Sequence, residues 1–429
     1  MTRKFSFAPL WLGIFLAGIL PVPAQNATSM PVAMPRRPSI ILIVADGLGC
    51  EDTGCYGLRD VKTPNLDRMA AEGVRFSSYY AGSPFKFPAR AALLTGRDAG
   101  HLASPSDTEI FLPNDGPTLA EVLKSTGYHT GCVGEWDLAG EGSLNVPQRR
   151  GFDEWAGFYT EAEADAEFPA YLWRYDPPKA GLNGFDGKME MSQNENGAHG
   201  ASANDIFTTA AMNFIKINQP DQFNRHRPFF LFLGYPLPRG GHDEAVARLD
   251  AGIGKILDTL KGLKIDSNTM VFVTSDTSSW KKNNRAADAP EGLRDAGLRV
   301  PLIAWCPSKI RAGEENYLPV AAWDILPTFA EIAHAEKPDN CDGISFLQPL
   351  LGRPQLNRHD FLYWEIHSEG GRQQAARMGD WMAERPAPGQ PLELFSLKAD
   401  RAERTDLAKE HPELVSQFED YLKTRQGKP

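Results

Sequence analysis

The chain has 429 residues, 42% of them hydrophobic and 23% charged, with a formal net charge of −10. That is enough apolar material for a large buried core, which excludes a disordered chain. The acidic excess also excludes binding of nucleic acid or long polyanions by bulk charge, so a sulfated ligand needs a local basic patch.

In chain order, the first feature is Thr2-Arg3-Lys4, an apolar run from Phe5 to Val22, and a small-residue exit at Val22-Pro23-Ala24. This is the layout of a secretory signal peptide. Cleavage near Ala24 removes Arg3 and Lys4 and no acids, taking the net charge from −10 to −12. The expected product is secreted or periplasmic, has no membrane span in the mature chain, and begins with a linker at 25–37. The five cysteines, Cys50, Cys55, Cys132, Cys306 and Cys341, are too scattered for a disulfide framework or a CxxC metal site. Cys50 and Cys55 are near enough in sequence to pair, while Cys55 and Cys132 sit in apolar contexts that suit small buried hydrophobes.

Beyond the linker, short runs rich in branched and aromatic residues at 40–44, 129–133, 229–234, 270–274 and 302–305 predict strands buried on both faces. Helical patterns at 64–72, 89–95, 118–125, 206–217, 243–260 and 323–333 alternate with them. This alternation predicts an α/β fold with a mainly parallel central sheet flanked by crossover helices. A site then belongs at the carboxyl ends of the strands, where Asp46 and Asp276 fall. The Gly-, Pro- and acid-rich segment 156–203 predicts insertion loops. Near residue 355 the rhythm changes, and 361–366, 372–378 and 392–397 predict short antiparallel strands before a helix at about 411–423. We therefore expect a large domain at 38–354 and a small C-terminal α+β subdomain at 355–429.

The chemically informative stretch is Ser83-Pro84-Phe85-Lys86-Phe87-Pro88-Ala89-Arg90, followed by Leu93-Leu94-Thr95-Gly96-Arg97. Together with Asp46-Gly47-Leu48-Gly49, Gly54-Cys55-Tyr56-Gly57, Thr63-Pro64-Asn65-Leu66-Asp67, Gly151-Phe152-Asp153 and Thr274-Ser275-Asp276, it resembles the sulfatase family of the alkaline-phosphatase-like superfamily. The ordered resemblance runs from about Pro38 to about Leu407. It implies that fold, with a small C-terminal subdomain, and an ancestry among sulfuric ester hydrolases of the arylsulfatase type.

The resemblance also implies what has been lost. The family's Cys/Ser-x-Pro-x-Arg core reads Lys86-x-Pro88-x-Arg90, so lysine stands where a formylglycine precursor is expected. Of the four calcium ligands that the family implies, Asp46 and Asp276 remain, and Gly47 and Thr277 replace the others. Family cations facing the sulfate become Glu135 and Asp137, and Arg239 follows Pro238 where the family has Pro-His. The position of a further family lysine falls near Pro290, with Lys281, Lys282 or Arg294 as substitutes, and Asp295-Ala296 replaces Glu-Gly. Arg90 persists.

A protonated lysine has no lone pair with which to attack sulfur, and carboxylates near it strengthen its charge. The expected arrangement has the Lys86 ammonium in the place of calcium, paired with Asp46 and Asp276, so calcium binds weakly or not at all and no other cofactor is expected. The function read from these residues is a secreted pseudosulfatase that binds a sulfated or other glycan, or a protein partner, and no nucleic acid. The alternative is an active hydrolase of sulfate or other esters with a rebuilt carboxylate metal site. A nucleophilic Ser83 is disfavoured, because it lies three residues before the catalytic position. His101, His199 and His242 have no partners at ligand spacing, and Trp155, Trp173, Trp280 and Trp305 are read as core or cleft residues, Trp280 being the most suitable ligand contact.

Overall fold

A computed structural model describes residues 36–57, 61–102, 112–179, 181, 183–237, 242–278, 292–368 and 371–425. The signal-like segment and most of the linker, together with Arg239, Trp280, Lys281, Lys282 and Pro290, lie outside the described residues. No described helix is long and apolar enough to cross a membrane.

The first strand, β1 (Ser39–Ala45), is buried at every position. Its side chains alternate between two cores, with Ile40, Leu42 and Val44 on one face of the sheet and Ile41, Ile43 and Ala45 on the other. That double burial is why the strand reads as a continuous apolar run. The next strands are β2 (Val74–Phe76), β3 (Tyr79–Tyr80), β4 (His129–Glu135), β5 (Glu154–Phe158), β6 (Tyr171–Asp176) and β7 (Phe185–Glu190). They are followed by β8 (Phe229–Tyr235), β9 (Thr269–Ser275), β10 (Leu302–Trp305) and β11 (Glu314–Asn316). All except β3 form one ten-stranded sheet in the order β11-β2-β10-β9-β1-β8-β4-β5-β6-β7. The central run β9-β1-β8-β4-β5 is parallel, whereas β10 and β6 join it antiparallel.

Residues expected to be insertion loops include β6 and β7, which pair over six residues from Tyr171–Glu190 to Asp176–Phe185. The Gly-, Pro- and acid-rich composition of the segment hid them, since the aromatic run of β6 is short and β7 is largely exposed, with Phe185 and Met189 as its apolar side chains. A separate antiparallel sheet forms from 362–368, 371–378, 381–385 and 393–396, with the helix Pro412–Thr424 against it. Trp381–Arg385 is the strand that the sequence pattern left out. All five cysteines are free, so the suggested pairing of Cys50 with Cys55 is not made.

Among the described residues, the first three α-helices are α1 (Pro64–Ala71), α2 (Lys86–Thr95) and α3 (Ala99–Leu102). Helix α2 starts three residues earlier than the apolar pattern predicts, so Lys86 is its first residue. It ends at Gly96, whose φ of 71° is the left-handed cap geometry that glycine adopts without steric cost.

Candidate active site

The parallel register brings the first two acids together. Ala45 is opposite Ser275, so Asp46 and Asp276 leave β1 and β9 side by side, and the Asp276 amide donates to the Ala45 carbonyl at 3.3 Å. Gly47 takes a φ of 75° and its N–H donates to Asp276 Oδ1 at 3.3 Å. This residue provides backbone to the site and no side-chain ligand. The Thr277 hydroxyl donates back to Asp276 Oδ1 at 3.4 Å.

Two strands away, β4 ends at Glu135 and the chain continues to Asp137. Gly134, Gly157 and Gly234 lie in register on β4, β5 and β8, and a methyl group on Gly134 would lie 1.9 Å from the Gly234 carbonyl oxygen. The backbones therefore approach closely just below the site. Asp137 has a φ of 60°, a left-handed conformation that aspartate tolerates better than most side chains.

Helix α2 aims its first turn between these two groups. Lys86 and Arg90 are four residues apart and so share one helical face. Lys86 Nζ is 3.0 Å from each of Asp46 Oδ2, Glu135 Oε1 and Asp137 Oδ2, and 4.0 Å from Glu161 Oε1. Arg90 is fully buried. It donates to the Glu135 and Trp136 carbonyls at 3.0 Å, to Asp137 Oδ2 at 3.1 Å and to Asp276 Oδ2 at 2.6 Å.

Lys86, Arg90, Asp46, Glu135, Asp137 and Asp276 thus converge, but one expected pairing is wrong. Asp276 is held by Arg90, and Lys86 turns to Glu135 and Asp137 instead. The Arg90 guanidinium uses separate nitrogens to join Asp137 beyond β4 to Asp276 beyond β9. Ser83 is buried, and its Oγ accepts the Phe85 N–H at 3.2 Å. Arg294 goes to the C-terminal sheet, pairing with Glu384 and Glu393, and Asp295 pairs with Arg299 and Arg401. Neither belongs to the Lys86 cluster.

The electrostatics follow from the burial. Burial alone would lower the Lys86 pKa, but the charges of Glu135, Asp46 and Asp137 overcome it and hold the ammonium charged. Glu135 is pushed well above the usual carboxylate range by burial and then by Asp137. Asp276 is raised by burial, against the opposing pull of Arg90. Glu135 Oε2 and Asp137 Oδ1 are buried without a hydrogen-bond partner among the described residues.

These residues do not fit a calcium ion. The metal-ligand set is incomplete, with Gly47 contributing no side-chain oxygen and the Thr277 hydroxyl directed at Asp276. The carboxylates that remain surround an ammonium and a guanidinium, each already a cation. Among the described residues, the one trio of His, Cys, Asp or Glu whose ligand atoms all lie within 4.8 Å of each other is elsewhere, at Asp98, His101 and Asp342.

Known proteins share this framework. The Sulfatase family model matches residues 38–238 and 237–335. The N-acetylgalactosamine-6-sulfatase of Canis lupus familiaris is 32% identical, over 77% of this chain and 69% of its own length. The N-acetylgalactosamine-6-O-sulfatase of Bacteroides thetaiotaomicron is 27% identical, over 91% of this chain and 93% of its own. The crystal structure of Ps i-CgsB in complex with k-i-k-neocarrahexaose superposes with a TM-score of 0.75 at 28% identity, covering 91% of this chain and 93% of that one. With the ordered strand-end acids, the helix α2 motif and the two-sheet architecture, these matches establish that the chain belongs to the sulfatase family, with an incomplete metal-ligand set.

Proposed function

We propose that this chain is a pseudosulfatase: Lys86 stands at the formylglycine position, its ammonium replaces the metal cation, and the protein binds a glycan without cleaving a sulfate ester. The observation that carries the reading is the Lys86 ammonium held 3.0 Å from Asp46, Glu135 and Asp137. Sulfate-ester hydrolysis needs an oxygen nucleophile and cationic stabilisation of the transferring group. Here the nucleophile position is an ammonium, while Glu135 and Asp137 stand where cations would be needed to hold the sulfate. The same ammonium argues against a rebuilt metal hydrolase, because it fills the space between the carboxylates.

Support for a carbohydrate ligand comes from the relatives, two of which are named as sulfatases of N-acetylgalactosamine and one of which was crystallised in complex with k-i-k-neocarrahexaose. The signal-like N-terminus supports export, and the separate antiparallel sheet supports treating 355–429 as a subdomain. The test is to incubate purified protein with 4-methylumbelliferyl sulfate and with sulfated galactose oligosaccharides, measuring released sulfate and, by calorimetry, binding. The expected result is oligosaccharide binding without sulfate release. Sulfate release that disappears in Lys86→Ala would overturn the proposal.

A further inference from the structure

Helix α2 runs away from the Lys86 cluster for ten residues, roughly 15 Å, and at its far end the chain forms a second polar group. Asp98 precedes α3, His101 lies within α3, and the fold brings Asp342 to them from 241 residues beyond His101. His101 Nδ1 is 2.7 Å from Asp342 Oδ1 and 3.8 Å from Asp98 Oδ1.

The two carboxylates are anchored in the same way. Asp98 Oδ2 accepts from the guanidinium of Arg425, which also lies 4.7 Å from the Tyr363 ring centre. Asp342 Oδ2 accepts the Asp98 backbone N–H at 3.0 Å. Each outer oxygen is therefore fixed by a neighbour, and each Oδ1 faces the imidazole. Metal-binding carboxylates and histidines are commonly oriented by outer hydrogen bonds of this kind. Asp98 is 6% exposed, and its Oδ1 is buried with no hydrogen-bond partner among the described residues. Such an oxygen is costly to leave unpaired and is free to become a ligand.

We infer that Asp98, His101 and Asp342 form a binding site for a borderline divalent transition-metal ion such as zinc, separate from the degenerate family site. One imidazole nitrogen with two carboxylate oxygens is a zinc-type donor set, whereas calcium and magnesium favour oxygen alone. The two separations from His101 Nδ1 bracket the spacing of about 3.3 Å that adjacent ligands have around tetrahedral zinc. The charges agree. Two carboxylates and one guanidinium leave the site negative beside a neutral imidazole, and a dication offsets that charge. The side chains of His101 and Asp342 are 30% and 23% exposed, which gives an ion a route in.

The test uses the full purified chain, stripped by chelator and titrated with zinc chloride alone in a calorimeter at pH 7.5. The expected result is one zinc per chain and a higher melting temperature with zinc. His101→Ala and Asp342→Asn should each weaken binding by at least about tenfold. Both side chains are partly exposed, and a wild-type-like circular dichroism spectrum establishes that each variant folds. Absence of zinc binding, or binding unchanged in both folded variants, overturns the inference.

Discussion

The two ends of β4 carry charged clusters of opposite character. At the amino end, His129 is 3.2 Å from Glu154 and 3.4 Å from Asp153, and Lys179, Lys124 and Arg227 complete a group open to solvent on one side. The His129 hydrogen bond lowers the Glu154 pKa to about 2, with burial opposing and Lys179 assisting. At the carboxyl end, Glu135 is 1% exposed, and burial moves its pKa in the opposite direction. Both ends have cations within ion-pair distance. For the two glutamates the difference is desolvation joined by the Asp137 charge, which together outweigh the cations beside Glu135, whereas the weaker desolvation of Glu154 yields to its partners.

Lys86→Ala is the largest break in that comparison. It leaves Asp46, Glu135 and Asp137 without the ammonium they share, and we expect a loss of about 3–5 kcal/mol in urea-induced unfolding. Glu135→Gln has a smaller effect. Because burial and Asp137 already favour the protonated form of Glu135, a neutral isostere with an acceptor oxygen should cost only about 1 kcal/mol by the same measurement. A cost as large as that of Lys86→Ala would mean that the Glu135 charge is needed and that burial does not dominate this end.

The amino end should respond least, and with a distinct pH dependence. Glu154 has a depressed pKa in the folded state, so its contribution is complete above its ordinary value of 4.5 and disappears as pH falls towards 2. Glu154→Gln should cost about 0.5 kcal/mol at pH 7. Unfolding measured across this range should show the difference between the two proteins shrinking steadily from pH 4.5 towards pH 2. A constant difference down to pH 2 would contradict the assignment.

Much of the fold and of the charged cluster was legible in the sequence, for identifiable reasons. Buried strands such as Ile40–Val44 declare themselves through continuous apolar runs, and Asp46 and Asp276 through their place at strand ends. The identity of the partners was not legible. Lys86 was expected on Asp276 and is on Glu135 and Asp137, because the aim of α2 depends on how that helix packs over the sheet. The β6–β7 hairpin was missed because the aromatic run of β6 is short and lies in a Gly-, Pro- and acid-rich segment, and because β7 is largely exposed. His101 looked isolated because its partner Asp342 is supplied by the fold, and no local spacing signals a contact across 241 residues.

Replacement of a metal ion by the Lys86 ammonium is tested most directly by a calcium titration of thermal unfolding, with wild type and Lys86→Ala side by side. If the ammonium is the replacement, calcium leaves the wild-type melting temperature unchanged, whereas the variant melts lower and recovers part of the loss as calcium occupies the vacated acids. A wild-type protein stabilised by calcium, or a Lys86→Ala variant that melts with the wild type, would contradict it.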